Sequence, residues 1–208
     1  MPSSSQEARK TPKQSRSAVT VEAIFTAAIQ VLLRDGPSRL TTTRVATRAG
    51  VSVGTIYQYF PNKLALLYAL LERHLGSLAK AVEEACEALR GRPVLEMSDE
   101  LVRVFLDART AEIETARMIY LLAADLDTDG LLTAIRDRIR TAITGVLASA
   151  ADARFACVDT AGHMLSVILS GATRTVLERD DPGALEIVRA RLPLACAAYL
   201  TQAAQPKP

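Results

Sequence analysis

Aromatic residues make up only 4% of this 208-residue chain, and it holds just two histidines and three cysteines. No uninterrupted apolar run reaches the roughly 18 residues that a membrane-crossing helix needs. Each scarcity excludes something. His74 and His163 lie far apart and no His-Glu cluster accompanies them, so neither a metal site nor a metalloenzyme is expected. Cys86, Cys157 and Cys196 are odd in number and widely spaced. They form no disulfide framework and read either as buried small apolar residues or as redox sensors. No glycine loop is built for phosphate, and no serine nucleophile sits in a recognisable turn, so no catalytic residue and no cofactor are expected. The opening residues, Met1 to Glu7, contain no apolar stretch like a signal peptide, which points to the cytoplasm.

What the chain has is apolar aliphatic residue. It is 49% hydrophobic, rich in Ala and Leu, with modest Gly and Pro and only short β-branched runs. An all-helical protein with a substantial core is expected, either as one large domain or as a small domain fused to a larger one. The formal net charge of +2 hides a split. Residues 1–63 hold nine Lys/Arg against three Asp/Glu, whereas residues 64–208 hold 16 against 20. A basic third on an acidic remainder suggests a nucleic-acid module on a body with another task; the alternative is chance clustering of solvated charges.

Residues 1–17 carry Arg9, Lys10, Lys13 and Arg16 among serines with almost nothing to bury, which reads as a disordered basic arm. Such an arm serves either to touch DNA phosphates or to solubilise. From about Ser17 to Asp35 the apolar residues Ile24, Ala27, Ala28, Val31 and Leu32 recur with helical period, and Gly36-Pro37 ends that helix. Thr42 is expected to cap a second helix with Val45, Ala46 and Ala49 on its apolar face. A third helix follows over about 53–59, and Asn62 caps a long fourth one running towards Leu89. After Gly91-Arg92-Pro93, helices are expected at about 98–111, 114–125, 129–150, 155–179 and 183–203. Ser98 or Asp99 should open the first of these, and Pro193 should kink or split the last. The resulting domains are an arm at 1–17, a DNA-binding domain at 18–63 and a helical domain at 64–208.

The most informative stretch is 41–63, Thr-Thr-Thr-Arg-Val-Ala-Thr-Arg-Ala-Gly-Val-Ser-Val-Gly-Thr-Ile-Tyr-Gln-Tyr-Phe-Pro-Asn-Lys. Counted from Thr42, a small Ala46 stands fifth where two helices cross, and Gly50 stands ninth where a turn demands φ > 0. Ile56 stands fifteenth as a core plug. This spacing fits a helix-turn-helix, which holds its second helix against a DNA major groove.

Residues 19–67 resemble the N-terminal domain of the TetR family of bacterial transcriptional repressors. Ile24-Phe-Thr-Ala-Ala28, the Gly36 stop, Thr42-Thr-Arg-Val-Ala46, Ala49-Gly-Val-Ser52 and Gly54-Thr-Ile-Tyr-Gln-Tyr-Phe60 with Asn62-Lys63 carry the likeness. It implies an N-terminal three-helix DNA-binding domain and a larger C-terminal helical domain for ligand binding and dimerisation. A homodimer would place two third helices in successive major grooves of a pseudo-palindromic operator, and a small-molecule effector would relax the grip; the alternative is a DNA-binding regulator that answers to no small molecule, or to a protein.

The resemblance also distributes roles. Thr42, Tyr57, Tyr59 and Lys63 match phosphate- or base-contacting positions, and Thr43 and Arg44 stand at the outward start of the second helix. Arg44 has the geometry to read guanine and Gln58 adenine. Ser52, Val53, Gly54 and Thr55 form the end of the recognition helix that meets base edges, with Val53 suited to a thymine methyl. Tyr57 and Tyr59 have partial core packing as their alternative. In the larger domain Phe105, Arg109, Met118, Tyr120 and His163 are the candidate ligand contacts, Arg109 for an anion, against ordinary core packing. A small-residue face (Gly162, Ser166, Ser170, Gly171) and the Ala-rich stretch to Leu200 mark the last two helices, serving either dimerisation or intrachain packing.

Overall fold

A computed structural model of the chain describes residues 12–123, 126–178 and 181–207. They form two compact units, Met1–Leu66 and Leu67–Pro208.

In the first unit α1 spans Pro12–Asp35, beginning five residues before the expected Ser17. Proline suits the opening turn of a helix, where backbone N–H groups have no intrahelical partner to lose. The rest of the expected arm, residues 1–11 with Arg9 and Lys10, lies outside the described residues. The apolar stripe of α1 is almost fully buried, with Ile24, Ala27, Ala28, Val31 and Leu32 each at most 3% exposed. By composition the segment Ser17–Asp35 is long and apolar enough to cross a membrane, contrary to expectation. The same residues supply the core on which α2 packs. Gly36, at φ 79°, ends α1, and its N–H reaches Leu32 O at 3.0 Å.

A short 3-10 turn, Pro37–Arg39, leads into α2, Thr42–Ala49. Gly50 adopts the left-handed conformation at φ 69°. Its N–H bonds Thr47 O while that of Val51 bonds Ala46 O, the Schellman closure that glycine permits without a Cβ penalty. Then come α3, Val53–Tyr59, and α4, Lys63–Ala88. Val45, Ile56, Phe60 and Leu40 close the core, and the Phe25 and Phe60 rings lie 5.6 Å apart at a tilt of 48°.

The second unit continues α4 and adds α5 (Val94–Thr110), α6 (Ile113–Ala123), α7 (Asp129–Ala148), α8 (Val158–Glu178) and α9 (Pro182–Ala203). Within it α5 packs on α9, α7 on α8 and α8 on α9 around Met97, Leu101, Ile143, Leu147, Leu165 and Leu169. Two short strands, β1 (Ala153–Phe155) and β2 (Ala204–Pro206), pair antiparallel with Arg154 opposite Gln205. The all-helical class and the small-plus-larger domain plan thus hold, with that two-stranded clip added.

Three local expectations are corrected. Helix α5 opens at Val94, not at Ser98 or Asp99, because Asp152 Oδ1 accepts the Val94 N–H at 2.8 Å from 58 residues away. Ser98 is fully buried inside the helix instead. Helix α9 runs unbroken through Pro193, its lost hydrogen bond outweighed by the burial of Leu192, Cys196 and Leu200 on either side. Cys86 and Cys196 are buried, which pushes their thiols up to about 12, but Cys157 is exposed at the start of α8. The Thr160 hydroxyl donates to its Sγ at 3.1 Å and lowers its pKa.

Candidate nucleic-acid interface

The helix-turn-helix is set by side chains that satisfy backbone groups at each helix start. Thr41, extended at φ −133° and ψ 152°, caps α2, its side chain accepting the Arg44 N–H at 3.2 Å. The expected cap, Thr42, is already helical, so its hydroxyl is released and lies 3.4 Å from the Tyr57 hydroxyl. Ser52 caps α3, accepting the Thr55 N–H at 2.9 Å and bonding the Thr55 hydroxyl at 2.9 Å. Asn62 caps α4 through the Ala65 N–H at 2.8 Å. Ile56, 0% exposed, plugs α3 into the core as expected.

That anchoring turns a polar edge outward. Thr43, Arg44, Ser52, Gly54, Tyr57 and Gln58 are exposed, while Thr42, Val53, Thr55, Tyr59 and Lys63 are half-buried. Tyr57 is 51% exposed, so it takes no part in the core, whereas Tyr59 leans against Phe60 at 6.4 Å between ring centres. A Cβ built on Gly54 would meet only Ser52 Oγ, at an ordinary 3.6 Å. The protein's own packing therefore does not require glycine there. Lys63 Nζ rests 3.5 Å from Pro37 O.

The structure also gathers residues that sequence reasoning passed over. Arg34, Arg39 and Arg48 join Thr43, Arg44 and Gln30 around a cavity of about 850 Å³. Asp35 sits among them, accepting from Arg34 at 2.9 Å and from Arg44 at 3.3 Å. The Arg34 hydrogen bond is the largest cause holding the Asp35 carboxyl below its usual range. Arg48 Nε donates to Gln30 Oε1 at 2.7 Å. The spacing of Arg44 and Arg48, one turn apart on the polar side of α2, was the available signal.

The candidate ligand contacts of the second unit do not all converge. Phe105 is core at 2% exposure; Arg109, Met118 and Tyr120 are half-buried, and the Tyr120 hydroxyl donates to Glu178 Oε1 at 2.7 Å. His163 is exposed on α8, because the buried side of that helix runs through Gly162, Leu165, Leu169 and Val176 and leaves position 163 opposite. The small-residue face divides as well. Gly162 packs on α7, with the Thr144 Cα 3.0 Å from where its Cβ would stand, and Leu200 is buried, while Ser170 and Gly171 are exposed.

Residues 24–70 match the family model described as bacterial regulatory proteins, tetR family. The chain carries a TetR-family domain. Over 61 residues it is 36% identical to the fatty acid metabolism regulator protein of Bacillus subtilis (strain 168), covering 29% of this chain and 31% of that one. The match thus spans about a third of that curated relative's length. A TetR family transcription regulator from Marinobacter aquaeolei VT8 aligns with a TM-score of 0.66 at 17% identity, over 92% of this chain and 99% of the other. SmeT, the repressor of the Stenotrophomonas maltophilia multidrug efflux pump SmeDEF, aligns with a TM-score of 0.65 at 20% identity, over 90% and 93%. At these identities the solved structures establish a shared fold. The TetR-family helix-turn-helix is a DNA-binding element of transcriptional regulators, and α2, α3 and the start of α4 supply it here.

Proposed function

We propose that this chain is a homodimeric, cytoplasmic transcriptional repressor that grips a palindromic operator and is released by a small molecule bound in its second unit. The observation that carries the DNA-reading part is the outward edge of α3. Gly54, Tyr57 and Gln58 are exposed on a helix anchored by the fully buried Ile56. Glycine at 54 costs helix stability that no internal contact recovers, which makes sense if a DNA backbone or base edge approaches closely. Gln58 reads adenine, Arg44 reads guanine and Val53 meets a thymine methyl, while Ser52 and Thr55 hold the helix start in register. Thr42, Thr43, Tyr57, Tyr59 and Lys63 bind the phosphates that flank these bases.

Dimerisation is supported by the outer faces of α8 and α9, which pack on each other and leave Met164, Val167 and Leu194 38%, 46% and 60% exposed. A second copy would cover them. Selection of bound duplexes from a random pool tests the whole reading: a two-fold symmetric site is expected, and an asymmetric site or no enrichment overturns it. Sedimentation at micromolar concentration tests the dimer separately.

A further inference from the structure

Charged side chains in the second unit mostly find opposite partners. Arg103 meets Glu100 and Asp107, Arg138 meets Glu83, and Arg174 meets Glu178. Arg109 of α5 is different. Among the described residues its Nε is buried with no hydrogen-bond partner, and no carboxylate there forms an ion pair with it. Burial is the largest influence on its pKa and lowers it. Arg109 as a whole is half-buried, and a cation partly stripped of water without an anion destabilises the fold that contains it, by more as burial increases.

The Arg109 charge acts on His74 of α4, and Tyr120 of α6 acts on the guanidinium. Burial, then Arg109, lowers the His74 pKa, with Glu112 acting the other way. One and two turns back on the same side of α5 stand Phe105 and Val102, 2% and 1% exposed. On α4, Leu70, Leu71 and Leu78 flank His74 and are buried. Three helices thus bring one unpaired cation, one imidazole and one phenol together against apolar side chains.

Resting on the reading of the second unit as an effector domain, we propose that the effector is a carboxylate with an apolar body, its head seated on Arg109 between α4, α5 and α6. The guanidinium can donate Nε–H and one terminal N–H side by side to the two oxygens of a carboxylate. The apolar body lies against the aliphatic faces of α4 and α5. Binding supplies the anion that the fold omits, so it stabilises the liganded arrangement over the empty one.

The test uses the full chain and three carboxylates of different body, decanoate, 4-phenylbutyrate and indole-3-acetate, with decanol and decyl phosphate as controls. At least one carboxylate should raise Tm by about 3 °C or more at saturation and release the selected duplex, while decanol does neither. Arg109→Gln should weaken that binding at least about tenfold. Arg109→Met should raise the Tm of the ligand-free chain, because it removes a half-buried charge whose Nε has no hydrogen-bond partner among the described residues. No response to any carboxylate, an equal response in Arg109→Gln, a preference for decyl phosphate, or a lowered Tm in ligand-free Arg109→Met overturns the assignment. Release by decanol from wild type and Arg109→Gln alike would leave the regulator reading standing and remove the anion. If no duplex is bound at all, the regulator reading falls while the melting curves still decide Arg109.

Discussion

In the first unit Arg34, Arg39, Arg44 and Arg48 stand exposed around a single carboxylate, Asp35, whereas in the second Arg109 is drawn inside with its Nε unbonded and no carboxylate to meet it. Exposed arginines keep their hydration, add little stability through surface pairs and can exchange a weak internal partner for a phosphate. A half-buried one has given up part of its water and gains more from an anion that fits. On our proposals the same residue type addresses two kinds of anion: a long polyanion read from outside and a small carboxylate taken within. The difference also separates their signals: binding to the first surface weakens steeply with salt, and binding at the second is shielded from it.

This contrast can be broken by substitution. The largest effect is expected from Ile56→Ala, which removes the plug of α3 from a fully buried site and should cost about 3 kcal/mol of stability. Thermal melts followed by circular dichroism check the loss, and duplex binding should disappear with it; retained binding would mean that α3 does not depend on its anchor. Gln58→Ala, by contrast, should leave the melt unchanged and relax discrimination at one base pair per half-site by roughly 1–3 kcal/mol, read by competition among single-base operator variants.

Thr41→Ala should lower stability by about 1 kcal/mol through loss of the α2 cap, while Thr42→Ala leaves the melt nearly unchanged. Equal losses in denaturant titrations would show that both hydroxyls share the cap. Lys63→Ala should flatten the plot of log affinity against log salt by about one unit, since one phosphate contact goes; an unchanged slope would remove that role.

The smallest effect concerns His74. Its folded pKa lies below the ordinary 6.5, chiefly through burial and then through Arg109. The unfolded chain therefore takes up more protons as pH falls below about 6.5, and stability declines in that window. His74→Gln should flatten the decline between pH 7 and 5, and Arg109→Met should make it shallower and end it at a higher pH by letting the folded His74 pKa rise. A decline unchanged in both variants would separate the two side chains.

How much could be read in advance depends on the reach of each interaction. Gly36, Gly50 and Ile56 were legible because a turn, a Schellman closure and a core plug act within a few residues. Between Thr41 and Thr42 the chain offers identical side chains, and only the extended backbone at 41 makes that hydroxyl the cap. The exposure of His163 was hidden until the α8 stripe through Leu165 and Leu169 was phased, and the clustering of Arg34, Arg39 and Arg48 needed α1 brought against α2. His74 carried no signal of its own, because its meaning comes from Arg109 on another helix.

By itself the sequence determined the helical class, the basic first unit, the turn at Gly50 and the polar edge of α3, all consequences of period, charge and local backbone preference. The tertiary structure alone decided that Asp152 caps α5 from 58 residues away, that β1 finds β2, and that the Arg109 Nε is shut from water with no hydrogen-bond partner among the described residues. Those outcomes depend on which distant groups packing brings together and which it shuts away from water. Neither is written in the order of residues along one helix.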